Sequence, residues 1–157
     1  VPESLLPRQW RHWVLDSGSL TKRLKGLQAA GPFSVQVNNV GYGRATLSEA
    51  KALSIRPNHQ VYLREVALKL GGQSVVVARS VIPRATLSGP EKQLLHLGSK
   101  PLGEFLFTHK NMRRSAIQFK QGLLNREPVW ARRSLFYLNQ KPLLVSEVFL
   151  PSLLQAQ

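Results

Sequence analysis

Apolar and polar residues alternate most regularly in the middle of the chain. Val61 to Leu70 and Gln73 to Pro83 each read as a strand, and Gly71-Gly72 between them fits a two-residue hairpin turn. A second alternating pair, Trp130 to Leu138 and Leu143 to Leu150, turns across Asn139-Gln140-Lys141. Phe33, Val35 and Val37 predict an earlier strand, and Met112 to Gln121 a weaker one. Helical spacing falls between these segments. Trp10, Trp13 and Val14 place an amphipathic helix over Pro7 to Leu15. Ser19 is the N-cap of a second helix, with Leu20, Leu24 and Leu27 on one face and Gly31-Pro32 as its stop. Ser88-Gly89-Pro90-Glu91 reads as a capping box opening a helix that Gly98 ends, and Pro101 opens another through Phe107. Asn38 to Asn58 reads as turns and a mobile connection, from Gly41, Gly43 and Arg56-Pro57-Asn58. Helices, then hairpin-joined strands, then helices, then strands again predict an α+β fold built on an antiparallel sheet.

Length and composition keep this picture to one domain. A chain of 157 residues buries roughly 70% of the surface its unfolded form exposes, enough for a core without staples. There is no cysteine, which excludes disulfides, thiolate metal sites and a cysteine nucleophile, and is compatible with a reducing cytoplasm. No apolar run approaches the roughly 20 residues of a membrane span, and Val1 to Arg11 lack the pattern of a secretory signal. The formal charge is +14, from 22 basic and 8 acidic side chains. That charge fits nucleic acid, an anionic membrane surface or a small anionic ligand. It is spread along the chain and accompanies no nucleic-acid-binding motif, so nucleic acid is not the expected partner.

The candidate chemistry lies on the Gly71-Gly72 hairpin. A plain two-residue loop sets Leu68 opposite Val75, Val66 opposite Val77 and Arg64 opposite Arg79, all on one face that is otherwise apolar except near the turn. Two guanidiniums about 5 Å apart repel by roughly 3 kcal/mol at an effective dielectric near 20, and burying them costs more unless an anion meets them. Glu147, in a strand apolar on both faces, is the notable protein carboxylate. Two readings follow: an internal salt bridge from Glu147 to one arginine, or a closed pocket in which the arginines hold ligand carboxylates and Glu147 meets a ligand hydroxyl. The histidines His12, His59, His96 and His109 lack metal-ligand spacing, Gly41-Tyr42-Gly43 lacks the third glycine of a dinucleotide loop, and Ser19-x-x-Lys22 and Ser48-x-x-Lys51 lack partner motifs. No metal or cofactor is expected.

Several segments resemble the chorismate lyase family, bacterial chorismate pyruvate-lyases that make 4-hydroxybenzoate for ubiquinone. They are Ser19-Leu20-Thr21-Lys22-Arg23, Tyr62-Leu63-Arg64-Glu65, Ala78-Arg79-Ser80-Val81-Ile82-Pro83, Thr86-Leu87-Ser88-Gly89-Pro90-Glu91, Lys100-Pro101-Leu102-Gly103, Leu106-Phe107-Thr108 and Lys141-Pro142-Leu143-Leu144-Val145-Ser146-Glu147. They keep family order and spacing from about Val61 to Pro151, and the match is poor from Phe33 to Gln60 and at the termini. The resemblance implies a monomeric, cytoplasmic α+β domain over residues 1–157, with a six-stranded antiparallel sheet and an internal cavity under flaps. It implies that Arg64 binds the ring carboxylate, that Glu147 lies near the ring hydroxyl, and that Leu20 and Leu102 line the site. Leu20 stands where a relative has Met. Arg79 matches a second pocket arginine, expected on the enolpyruvyl carboxylate or departing enolate. Catalysis is then expected from Glu147 and Arg79, with slow release of, and inhibition by, 4-hydroxybenzoate. The alternative within the same fold class is a non-catalytic effector-binding domain for a small acid. The basic surface either favours weak association with an anionic membrane or concentrates a dianionic substrate.

Overall fold

The two hairpins read from the alternation form the centre of the sheet. A computed structural model describes residues 2–157, so the expected domain is seen from Pro2 onward. In chain order the elements are α1 (Arg8–Val14), α2 (Leu20–Lys25), β1 (Phe33–Arg44), α3 (Leu47–Leu53), β2 (Gln60–Leu70) and β3 (Gln73–Pro83), followed by a 3-10 helix (Gly89–His96). Then come α4 (Leu102–Thr108), β4 (Met112–Arg114), β5 (Gln118–Leu124), β6 (Glu127–Leu138), β7 (Lys141–Phe149) and α5 (Ser152–Gln155). The strands make one antiparallel sheet in the order β1-β2-β3-β7-β6-β4, with β5 also paired to β6. The result is a single α+β domain with seven strands rather than the expected six. The extra strand arises because the segment from Met112 to Gln121 is broken. The Ser115 hydroxyl accepts the Leu135 N–H at 2.9 Å and so replaces a main-chain ladder acceptor there.

Two local expectations are corrected. The segment from Asn38 to Asn58 is not a run of turns: β1 stays paired to β2 as far as Arg44, with an irregularity between Val37 and Asn39. Thr46 then caps α3, accepting the Glu49 N–H at 3.1 Å while Glu49 accepts the Thr46 N–H at 2.8 Å. Conversely, the capping box read at Ser88 does not form. Ser88 Oγ donates to Ala85 O at 3.0 Å, and the following helix is 3-10 without a side-chain cap. Glu91 is instead fully buried and bound by Lys141, His109 and Asn139. Burial works to raise its pKa, but those three hydrogen bonds outweigh it and hold the carboxylate below its usual range.

The register of the β2–β3 hairpin is the third correction, and it decides the site. Leu70 pairs with Gln73 and Lys69 with Ser74, but the next pair is Leu68 with Val76, so Val75 is a one-residue bulge. Val75 and Val76 are both buried in the same apolar cluster, which is why the chain accommodates the extra residue there. Beyond the bulge every side chain of β3 exchanges faces. Arg64 pairs with Ser80, and Arg79 pairs with Glu65 on the opposite face.

One face of the sheet carries two apolar clusters. The first packs Leu6, Trp10, Trp13, Val14, Leu20 and Leu24 onto Val66, Leu68, Val76, Trp130 and Phe149. The second packs Leu94, Leu97, Leu102 and Leu106 onto Tyr62, Ile82, Phe136, Leu143 and Val145. The other face carries a smaller cluster in which Leu53 of α3 packs with Val61, Leu63, Val81 and Leu144. Among the described residues no helix is long and apolar enough to cross a membrane.

Candidate active site

Between the two clusters of the first face the alternation puts polar residues where apolar ones are expected. Arg64 and Ser80 are paired across β2 and β3, Arg132 and Glu147 across β6 and β7, and Ser134 lies one step along β6 from Arg132. Arg64, Ser80, Arg132 and Glu147, with Arg114 of β4, line a small pocket of about 50 Å³, closed on the helical side by α2 and α4. Leu20 and Leu102, both buried, line it at those helices. The two helices meet closely: a β-carbon built on Gly103 would lie 2.6 Å from Thr21 Oγ1.

Arg64 is 3% exposed. Its Nη2 donates to the carbonyl oxygens of Gly98 at 3.1 Å and Lys100 at 2.8 Å, and no carboxylate lies within ion-pair distance among the described residues. Burial pulls its pKa below the usual arginine value, as expected for a cation removed from water without an anion. Arg132 is equally buried but ion-paired. Its Nε donates to Glu147 Oε1 at 2.8 Å, and its Nη1 donates to the carbonyls of Trp13, Val14 and Asp16 at 3.1, 3.2 and 2.7 Å. It therefore fixes the Glu147 carboxylate and also ties the end of α1 to the sheet. Asp16 itself is engaged by the Gly18 N–H at 3.0 Å and by Arg23 at 3.2 Å. Burial opposes its ionisation, but those contacts prevail and lower its pKa.

Of the residues anticipated from sequence, Leu20, Arg64, Leu102 and Glu147 line this one pocket. Arg79 does not. On the far face its Nε and Nη2 donate to Glu49 Oε2 and Oε1 at 2.8 and 2.9 Å, and its Nη1 lies 3.5 Å from Glu65 Oε2. The expectation that it faces the pocket fails because the Val75 bulge reverses the alternation. Glu147 is ion-paired to an arginine as one of the two readings held, but the partner is Arg132. Arg132 and Arg114 were not anticipated. For Arg132 a signal existed: Trp130, Arg132, Ser134, Phe136 and Leu138 alternate in one strand, and an arginine in that apolar row is as anomalous as Arg64. Arg114, on a three-residue strand, offers no such pattern.

The lining holds three guanidiniums against one carboxylate, an excess of two positive charges. Among the described residues no group of three His, Asp or Glu side chains is placed to hold a metal. The site's resources are hydrogen-bond donors and fixed charge, suited to orienting a small organic anion.

In fold the chain is similar to the effector domain of PhnF from Mycobacterium smegmatis, with a TM-score of 0.60 at 14% identity over 88% of this chain and 91% of that one. It is also similar to the ligand-binding domain of a putative GntR-family transcriptional regulator from Bordetella bronchiseptica, with a TM-score of 0.58 at 16% identity over 76% and 86%. At those identities the likeness concerns fold alone. In sequence it is 39% identical over 154 residues to the probable chorismate pyruvate-lyase of Methylococcus capsulatus, covering 90% of this chain and 94% of that protein. It is 38% identical over 154 residues to the chorismate pyruvate-lyase of Hamiltonella defensa, covering 97% and 83%. The chorismate lyase family model matches residues 3–157. With the family match spanning every element that builds the pocket, the chain belongs to the chorismate lyase family.

Proposed function

We propose that this protein cleaves chorismate to 4-hydroxybenzoate and pyruvate. The observation that carries the reading beyond family membership is Arg64, buried without a carboxylate in a pocket with two positive charges in excess. In charge, a dianion is the complement of such a site; at about 50 Å³ the pocket admits a ring-sized guest only when α2 and α4 move apart. Chorismate carries a ring carboxylate, an enolpyruvyl ether with its own carboxylate, and a ring hydroxyl. In the reaction the ring–ether C–O bond breaks and its electron pair leaves on the enolpyruvate oxygen. The proton on the hydroxyl-bearing carbon is lost, and its electron pair completes the aromatic ring. The enolpyruvate takes up a proton at carbon to become pyruvate, so no water or redox partner is consumed.

In this reading Arg64 binds the ring carboxylate with the donors left over from Gly98 and Lys100. Glu147, held at Oε1 by Arg132, has Oε2 for the ring hydroxyl. Leu20 and Leu102 cover the ring and exclude water. Arg79 has no part, since its guanidinium is taken up on the other face. Aromatisation makes the step downhill, so orientation and stabilisation of charge on the departing oxygen suffice as the protein's contribution. Enclosure between α2 and α4 favours slow release of 4-hydroxybenzoate and inhibition by it. On the family resemblance we also take the protein to act as a cytoplasmic monomer without a cofactor.

The test is incubation with chorismate while both products are measured. Equimolar 4-hydroxybenzoate and pyruvate support the reading; binding of both acids without pyruvate release points to an effector domain. Glu147→Gln then assigns the carboxylate. A rate within about threefold of wild type leaves it a hydrogen-bond acceptor, and a fall of roughly a hundredfold or more makes it the base.

A further inference from the structure

The lyase reading leaves the second carboxylate of the substrate without a partner once Arg79 is found on the far face. The pocket offers a replacement. Arg114, the last residue of β4, is half-buried on the pocket wall. Its Nε donates to Ser134 Oγ at 2.9 Å and its Nη1 to Ser17 O at 2.9 Å. Its guanidinium lies 4.8 Å from the ring centre of Phe136. Both polar partners are neutral, and no carboxylate is within ion-pair distance among the described residues. Arg132, the neighbouring cation, already has its charge paired with Glu147 and donates through Nη1 to three carbonyls. Of the three pocket guanidiniums, two therefore lack a counter-charge, Arg64 and Arg114.

These two reach in from opposite sides. Arg64 stands on β2 and Arg114 on β4, with β3, β7 and β6 between them. Two long side chains reaching inward across that span bracket a ring-sized guest rather than share one carboxylate. We propose that Arg114 is the anchor for the enolpyruvyl carboxylate, and hence the residue that distinguishes the dianionic substrate from the monoanionic product. This inference rests on the lyase reading of the same pocket. Burial, with the Arg132 charge adding to it, lowers the Arg114 pKa to about 10, against the pull of Glu147 and Asp16. The group stays charged at neutral pH yet is left destabilised, which an arriving carboxylate relieves. Its bond to Ser17 O, just before α2, also connects that carboxylate to the segment covering the pocket.

The proposal predicts a split between two ligands. Arg64→Met weakens both chorismate and 4-hydroxybenzoate, since both carry the ring carboxylate. Arg114→Met raises KM for chorismate at least tenfold while the Kd for 4-hydroxybenzoate, read by fluorescence or calorimetry, stays within about twofold. Arg114→Lys keeps a point charge and recovers part of the chorismate KM. Parallel weakening of both ligands in Arg114→Met overturns the proposal, because Arg114 then acts only as a brace between Ser17 and Ser134. So does an unchanged KM for chorismate. If Arg114→Met does not fold, Arg114→Lys decides by the same two constants: a larger loss for chorismate supports the anchor and an equal loss refutes it. Wild-type protein that releases no pyruvate from chorismate defeats the lyase reading and this inference together, whereas active wild type with a non-discriminating Arg114 variant defeats this inference alone.

Discussion

Arg64 and Arg79 sit on adjacent strands of one sheet, yet they are opposite cases. Arg79 has two carboxylates: Glu49 grips it through both oxygens and Glu65 stands behind. Burial works against the Glu49 charge, but Arg79 and the Thr46 contacts outweigh it and lower its pKa, while the Glu49 hydrogen bond raises that of Arg79. Arg64 has only two carbonyl oxygens, and burial lowers its pKa. A closed ion pair is a structural device: its charge is spent inside the protein, fixing α3 to the sheet. A buried cation without its anion is a liability to folding and an asset to binding. The difference marks out the face that carries the pocket without reference to any relative.

Variants that separate the two faces sharpen the comparison. The largest effect is expected at Arg64. Charge-assisted hydrogen bonds are each worth about 1.5–3 kcal/mol, so Arg64→Met loses roughly 3–4 kcal/mol of substrate binding, about 10²–10³ in kcat/KM by pyruvate release, with little loss of thermal stability. Next is Glu49→Gln, which leaves Arg79 with Glu65 alone and weakens the α3 cap. A loss of roughly 2–3 kcal/mol in denaturant unfolding is expected, below the full cost of a fully buried pair, with kcat/KM within a fewfold. A pH series checks its origin. The folded pKa of Glu49 is lowered, so its stabilisation is complete above the unfolded carboxylate value near 4.5 and disappears as pH falls through the folded value. Wild type and Glu49→Gln then converge in stability below that range. The smallest effect on turnover belongs to Arg79→Met: a stability loss like that of Glu49→Gln, but pyruvate release within about threefold of wild type. A hundredfold fall there would erase the distinction between the faces.

What could be read from the chain follows the same physics. The hairpins at Gly71-Gly72 and Asn139-Gln140-Lys141 are legible because turn residues and alternation agree; the second turn is tighter than that reading, since Asn139 and Gln140 alone make it, with φ of 49 and 69°, and Lys141 already pairs with Leu138. Arg64, Glu147, Leu20 and Leu102 were found because each breaks or joins an apolar pattern, or sits in a matching segment. Arg79 was misplaced because Val75, Val76 and Val77 form an unbroken apolar run. Inside such a run alternation carries no phase, so nothing marks the residue at which the ladder slips. The Thr46-x-x-Glu49 box was present but masked by the glycines of β1, which resemble turn signals yet lie within a paired strand. Arg114 depends on contacts to Ser134 and Ser17, 20 and 97 residues away in sequence, and such distant convergence leaves no local trace.

The tight meeting of Gly103 with Thr21 has a kinetic corollary. At the point where Gly103 meets Thr21 there is no room for a β-carbon, so on the proposed reading the two helices act as a clasp: solute passes only when the jaws part, and residence time follows the rate of opening rather than contacts made within. A single methyl at position 103 is a shim in that clasp. Gly103→Ala holds it ajar, and the enzyme becomes leaky, discharging 4-hydroxybenzoate sooner while gripping chorismate less well.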